Sequence, residues 1–148
     1  MSPATPVARA KAVPVPTPET QPYWDGAAAG ELRIQRCLDC GTAYFYPRPL
    51  CPSCGSGDVE WFTASGRATL YSYVINHRPA PGFEADAPYA IAVVQLAEGP
   101  RMMTNLVGVA PTPEALQLDM ELRVAFEQRG ELSLPVFTPA SAENAEDL

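Results

Sequence analysis

Lysine and histidine are almost missing from this chain: Lys11 is the only lysine and His77 the only histidine in 148 residues. Beyond the N-terminal stretch a Schiff-base mechanism is therefore excluded, and histidine-based acid–base chemistry has a single candidate. Basic residues are scarce overall, 10 Lys+Arg against 17 Asp+Glu, for a formal charge of −7. That balance disfavours general polyanion binding, because affinity for nucleic acid comes largely from Lys and Arg neutralising phosphates. It leaves room for one local phosphate pocket. There is no apolar run of about 18 residues, so no membrane-spanning helix is expected. The opening MSPATPVARAKAVPVPTPET has no compact apolar segment of the secretory type. A reducing, cytoplasmic setting is the expectation, and structural disulfides are rare there.

What the chain does contain is distributed unevenly. Residues 1–20 hold five prolines and few large apolar side chains, a composition that cannot bury enough surface to fold and reads as a disordered tail. The acidic end, residues 139–148, reads the same way. Thr20 can cap a short helix that tolerates Pro22 in its first turn and ends at Gly30. This helix carries Tyr23 and Trp24 and is too short to stand alone. ELRIQRC alternates like a half-buried strand. After VEWFTASG come RATLYSYVINH, the loop RPAPGFEADAP, then YAIAVVQLAE, Gly99-Pro100 and RMMTNLVGV. ELRVAFEQ and ELSLPVF flank the turn signal Arg129-Gly130 as a hairpin. The expected architecture is mostly β: a short helix and ribbon over 21–62, then a five-stranded OB-type barrel over 63–138.

All four cysteines lie in CLDCGTAYFYPRPLCPSCG, as two C-x-x-C pairs, Cys37/Cys40 and Cys51/Cys54, with ten residues between them. Each pair is followed by glycine, which permits the positive φ of a zinc knuckle, where backbone N–H groups turn toward the thiolates. Two knuckles supply four thiolates for one tetrahedral metal in a rubredoxin-like ribbon. Zinc is preferred; the same ligands also suit iron. A redox C-x-x-C needs one pair in a βαβ setting, which is absent. A four-cysteine site is coordinatively closed, so its expected role is structural.

With the thiols committed, little catalytic equipment is left. There is no G-x-S-x-G elbow and no carboxylate pair that stands out as acid and base. The chain reads as a binding or accessory module, non-catalytic on its own. Candidate ligand contacts are strand-end His77, Arg78 and Arg101, with Phe83 in the mobile-looking 78–88 loop; arginine suits phosphate forks. Candidate partner contacts are Tyr23 and Trp24 with the ribbon aromatics Tyr44 and Phe45. A second reading, a nucleic-acid-binding zinc-ribbon/OB module, could use the aromatic YSY strand to stack bases, against the charge balance.

The series LRIQRCLDCGTAYFYPRPLCPSCGSGDVEWFTASGRATLYSYVINHR followed by PYAIAVVQLAEGPRMMTNLVGV resembles the DUF35 family of zinc-ribbon/OB-fold proteins, over roughly residues 22–138. The resemblance implies Cys37, Cys40, Cys51 and Cys54 as zinc ligands. It also implies an acyl-CoA setting: an accessory subunit beside a thiolase-like partner, including lipid-transfer-type thiolases, that acts as thiolase, acyl transferase or retro-aldolase. The ribbon and helix would help dock the partner. The OB domain would help complete the site for a CoA thioester.

Overall fold

The computed structural model describes residues 11–140; residues 1–10 and 141–148, parts of the two tails read from the sequence, lie outside the described residues. The element order is α1 (Gln21–Ala28), β1 (Arg33–Cys37), β2 (Ala43–Tyr44), β3 (Val59–Thr63), β4 (Arg67–Asn76), β5 (Tyr89–Leu96), β6 (Arg101–Leu106), β7 (Glu121–Arg129) and β8 (Leu132–Pro139), with one 3-10 turn at Glu84–Asp86. β2-β1-β3 form a small antiparallel sheet that carries the cysteines. β4-β5-β6-β8-β7 close into a barrel. Counted within the barrel, the order is 1-2-3-5-4, which returns to strand 1 where Arg67–Thr69 pair with Glu121–Arg123. Closure leaves the barrel open edges only where β6 and β8 diverge. Among the described residues no helix is long and apolar enough to cross a membrane.

Alternation makes the barrel. On β5, Ala90, Ala92, Val94 and Leu96 point inward; on β6, Met102, Thr104 and Leu106 do. Leu70, Leu122 and Phe137 complete a dry centre. Thr104 is the polar member, and its hydroxyl donates to the Pro135 carbonyl at 3.2 Å. A register shift between Leu70 and Ser72 throws Tyr71 outward, as a β-bulge does.

The barrel has a seam. β6 and β8 run parallel and meet at a single residue pair, Leu106 with Phe137. Pro135, which has no N–H to donate, sits in β8 just before that point, where no ladder bond to β6 is lost. A cleft of about 310 Å³ follows the seam, between Met102–Asn105 and Leu134–Val136. Tyr23, Phe45 and Tyr46 form its opposite wall. Helix α1 packs against β8 beside this cleft. Tyr23 and Trp24 are 4% and 6% exposed and share one core with Leu32 and Ile34 of the ribbon and with the barrel. That burial is what holds an eight-residue helix together.

Thr20 occupies the N-cap position but makes no capping bond. Its hydroxyl is engaged with Thr17 instead, accepting from Thr17 N at 2.9 Å, and this local turn competes successfully with the cap. Gly30 closes the helix at φ +79°, as expected.

Gly66 links ribbon to barrel and is a strict requirement. Its φ is +84°, and a Cβ there would lie 2.7 Å from Val124 Cγ1. Gly66→Ala should therefore cost at least about 1–2 kcal/mol from the left-handed backbone alone. The denaturant midpoint should fall accordingly, and an unchanged midpoint would refute the argument.

Candidate functional site

The two cysteine knuckles are near copies of one another. Cys37 N donates to Thr42 O at 2.9 Å, and Cys51 N to Ser56 O at 2.8 Å. Gly41 N and Gly55 N reach back to the Cys37 and Cys51 carbonyls, each at 2.9 Å. Gly41 and Gly55 have φ of +79° and +80°, with open space where a Cβ would stand. Their glycines are needed for the backbone conformation rather than for room. Cys40 N donates to Cys37 Sγ at 3.4 Å, and Ser53 N to Cys51 Sγ at 3.3 Å.

The four Sγ atoms all lie within 4.8 Å of one another. Cys37–Cys54 and Cys40–Cys51 are separated by 3.6 and 3.7 Å. Those gaps are far too long for S–S bonds, and all four cysteines are free thiols. Four sulfurs at about 2.3 Å from one tetrahedral Zn²⁺ would be about 3.8 Å apart, so the donor set fits the metal. The Thr42 hydroxyl and then its backbone hold the Cys40 thiol at about 6. At Cys54 the Ser56 backbone N–H acts to lower the value, but Cys37, burial and the other two thiols outweigh it and push the thiol up to about 12. A dication bound here takes the place of the thiol protons.

Tyr44 belongs to the ribbon interior. It is 4% exposed and its hydroxyl donates to the Arg48 carbonyl at 2.9 Å. Burial raises its pKa, the Cys51 and Cys37 charges add to this, and Arg48 opposes it. Gln35, also buried, accepts from Arg48 N at 2.7 Å. Tyr44 is thus buried within the ribbon, and Tyr23 and Trp24 are buried in the core shared with the barrel, with Tyr23 also lining the cleft along the seam. Burial also raises the Tyr23 hydroxyl, with Tyr46 adding to the effect. Of the ribbon aromatics, half-buried Phe45 rests on Tyr23 with ring centroids 5.6 Å apart, and Tyr46 is 43% exposed.

The predicted ligand residues do not converge. His77 and Arg78 are exposed at the end of β4, beside the 78–88 loop that carries Phe83. Arg101 pairs with Gln95 at the other end of the barrel strands. The run from Tyr89 to Gln95 puts roughly 20 Å between the two ends at the usual strand rise. There Arg101 Nε donates to Gln95 Oε1 at 3.0 Å and its guanidinium lies 3.8 Å from the Tyr71 ring centre. It is an outer-surface residue, far from Phe83. Alternating strand direction in the antiparallel β4-β5-β6 run sets the end of β4 and the start of β6 at opposite ends of the barrel.

Two residues that the sequence reading left out stand beside Phe83 instead. Lys11 Nζ lies 4.8 Å and Arg129 Cζ 5.3 Å from the Phe83 ring centre. Lys11 is ion-paired with Asp86, and Arg129 with Glu127 at 2.9 Å. These residues line a cleft of about 220 Å³ at the mouth of the barrel. Arg129 had been read only as half of a turn signal, and Lys11 as part of a tail.

A zinc-ribbon model described as the ChsH2 rubredoxin-like zinc ribbon domain matches residues 24–60. A second, described as the ChsH2 C-terminal OB-fold domain, matches residues 61–127. A "DUF35 domain-containing scaffold protein" of Pyrococcus furiosus is 39% identical over 68% of this chain and 76% of its own. A "probable enoyl-CoA hydratase alpha subunit" of Thermomonospora curvata is 42% identical over 80% of this chain, but the match spans only 36% of that protein. The chain thus covers about a third of the length of that curated relative. Among solved structures, one titled "Ltp2-ChsH2(DUF35) aldolase" superposes with a TM-score of 0.75 at 39% identity, over 86% of this chain and 99% of that one.

Proposed function

Because the chain belongs to the DUF35 family of zinc-ribbon/OB-fold proteins, we propose that it is the accessory subunit of a thiolase-superfamily complex acting on acyl-CoA. In this reading it works in the cytoplasm, stabilises the catalytic partner and helps hold the CoA thioester, while the partner supplies nucleophile and base. One observation carries the proposal. Every cysteine is drawn into a closed four-thiol cluster, and no described residue pairs a nucleophile with the exposed His77 as its base. Support comes also from the scaffold and hydratase-subunit names of relatives and from the two-protein aldolase named above. The zinc, when bound, supplies cross-linking rather than Lewis-acid chemistry, since four protein thiolates complete its coordination. The chain's own residues contribute surfaces: the ribbon with exposed Leu38, Tyr46 and Leu50, and the barrel mouth.

Purified alone and loaded with zinc, the chain should show no thiolysis or aldol cleavage of acyl-CoA. Tagged and expressed in its native host, it should bring down a thiolase-superfamily protein in fixed stoichiometry, and that complex should be active. Turnover by the isolated chain, or a recovered chain with no such protein attached, would overturn the proposal.

A further inference from the structure

The four cysteine sulfurs are not equivalent. Cys37 and Cys51, the first residues of the two knuckles, are buried, while Cys40 and Cys54, the second residues, are exposed. Each buried sulfur is held under its own turn by a backbone N–H, that of Cys40 for Cys37 and that of Ser53 for Cys51. The close approaches between sulfurs run across the knuckles instead. Exposed Cys54 lies 3.6 Å from buried Cys37, and exposed Cys40 lies 3.7 Å from buried Cys51. Each outer cysteine therefore has an inner cysteine of the opposite knuckle behind it. The two turns are also braced without a metal: the Ser56 hydroxyl donates to Asp39, and Leu38 N donates to the Asp58 carbonyl at 2.8 Å. That brace can hold the turns face to face while sulfurs exchange partners.

We propose that the ribbon is a site of reversible oxidation by hydroperoxide, in which Cys40 and Cys54 react and Cys51 and Cys37 resolve them. Coordination keeps the sulfurs as thiolates, the form that acts as nucleophile. The exposed thiolate attacks one peroxide oxygen and the O–O bond breaks. The hydroxide that leaves takes a proton from solvent and becomes water, and the sulfur is now a sulfenic acid. The inner thiolate attacks that sulfur, the S–S bond forms, the S–O bond breaks, and a second hydroxide leaves and is protonated by solvent. Two electrons have passed from the two sulfurs to the peroxide. When both pairs have reacted, no thiolate is left for the metal, and two disulfides tie the knuckles together in its place. A dithiol reverses the change by thiol–disulfide exchange. Exposure selects the sulfur that reacts and proximity selects its partner; neither depends on the accessory-subunit role proposed above.

Hydrogen peroxide added to the zinc-loaded full chain tests this. A zinc-chelating dye should report one zinc released for every four free thiols lost, the full cysteine content of the chain. After denaturation and alkylation, chymotryptic cleavage at Phe45, which lies between the knuckles, should leave the two cysteine peptides joined until a reductant is added. Tandem mass spectrometry should place the bonds at Cys37–Cys54 and Cys40–Cys51. Dithiothreitol with added zinc should restore the metal content. The oxidised chain should still melt cooperatively, unlike the reduced chain stripped by a chelator, because covalent links stand where the metal was. Zinc retained at full peroxide exposure would overturn the proposal. So would peptides that separate without reduction, which places the bonds within each C-x-x-C, or the pairing Cys37–Cys51 with Cys40–Cys54, or sulfinic acid formed with no disulfide. All of these readouts are made on the chain alone, so partner capture and the activity of the complex succeed or fail separately.

Discussion

Replacing Cys37 or Cys51 by serine should empty the metal centre and unfold the ribbon. Both side chains are buried, at 0% and 3% exposure, and each anchors a knuckle through its own backbone N–H and C=O. Structural zinc contributes apparent binding energies of about 10–16 kcal/mol in small zinc-finger peptides, and that energy is folding energy. The knuckle side of the ribbon, around Cys37, Tyr44 and Cys51 with a two-residue strand at its edge, has few apolar contacts of its own. The damage should spread, because Leu32 and Ile34 on the ribbon strand belong to the same core as the barrel. Metal analysis should fall from one zinc per chain to near zero, with a large drop in melting temperature. Strong chelation of the unaltered chain should reproduce the effect. The as-purified protein should be colourless, since tetrahedral thiolate iron would absorb visible light. A Cys37→Ser chain that melts like the parent would remove the structural role of the metal.

The parts legible in the sequence were those governed by short-range rules. The period-two pattern of YAIAVVQL gives the inward set Ala90, Ala92, Val94 and Leu96 directly. The paired C-x-x-C-G knuckles needed only local spacing. The Arg129-Gly130 turn marked the hairpin of β7 and β8. What escaped depended on which distant segments meet. Arg101 and Phe83 are both strand-flanking in sequence, but the antiparallel register of β4, β5 and β6 sends them to opposite ends of the barrel. Lys11 sits in a proline-rich stretch whose composition argues against order, yet its ammonium meets Asp86 and Phe83. Pro135 gave no hint of a seam, because a proline in a strand says only that one ladder bond is missing, not which neighbour moves away.

That seam determines the second large effect. Trp24→Ala, and to a similar degree Tyr23→Ala, should destabilise the isolated chain by about 3–5 kcal/mol, the usual cost of truncating a buried large aromatic. Against a total stability of about 5–15 kcal/mol, that loss is a large share of what keeps the chain folded. The two rings pack edge to face with centroids 4.8 Å apart, and Tyr23 also touches Phe45 and Tyr46. Tyr23 lines the cleft where β6 and β8 diverge, and Trp24 packs against Tyr23 in the shared core. Trp24→Phe should cost less than truncation: it keeps most of the ring contact and deletes an indole N–H that is buried with no partner. The comparison separates two roles that a partner-binding assay alone would confuse. A core plug loses stability first and partner binding only as a consequence, so the melting temperature of the chain by itself drops. An interface anchor does the reverse. If Trp24→Ala melts like the parent while its complex falls apart, the side chain faces the partner and the burial argument fails. If the melting temperature collapses and Trp24→Phe restores most of it, α1 is the cover that lets a five-stranded barrel tolerate an open seam.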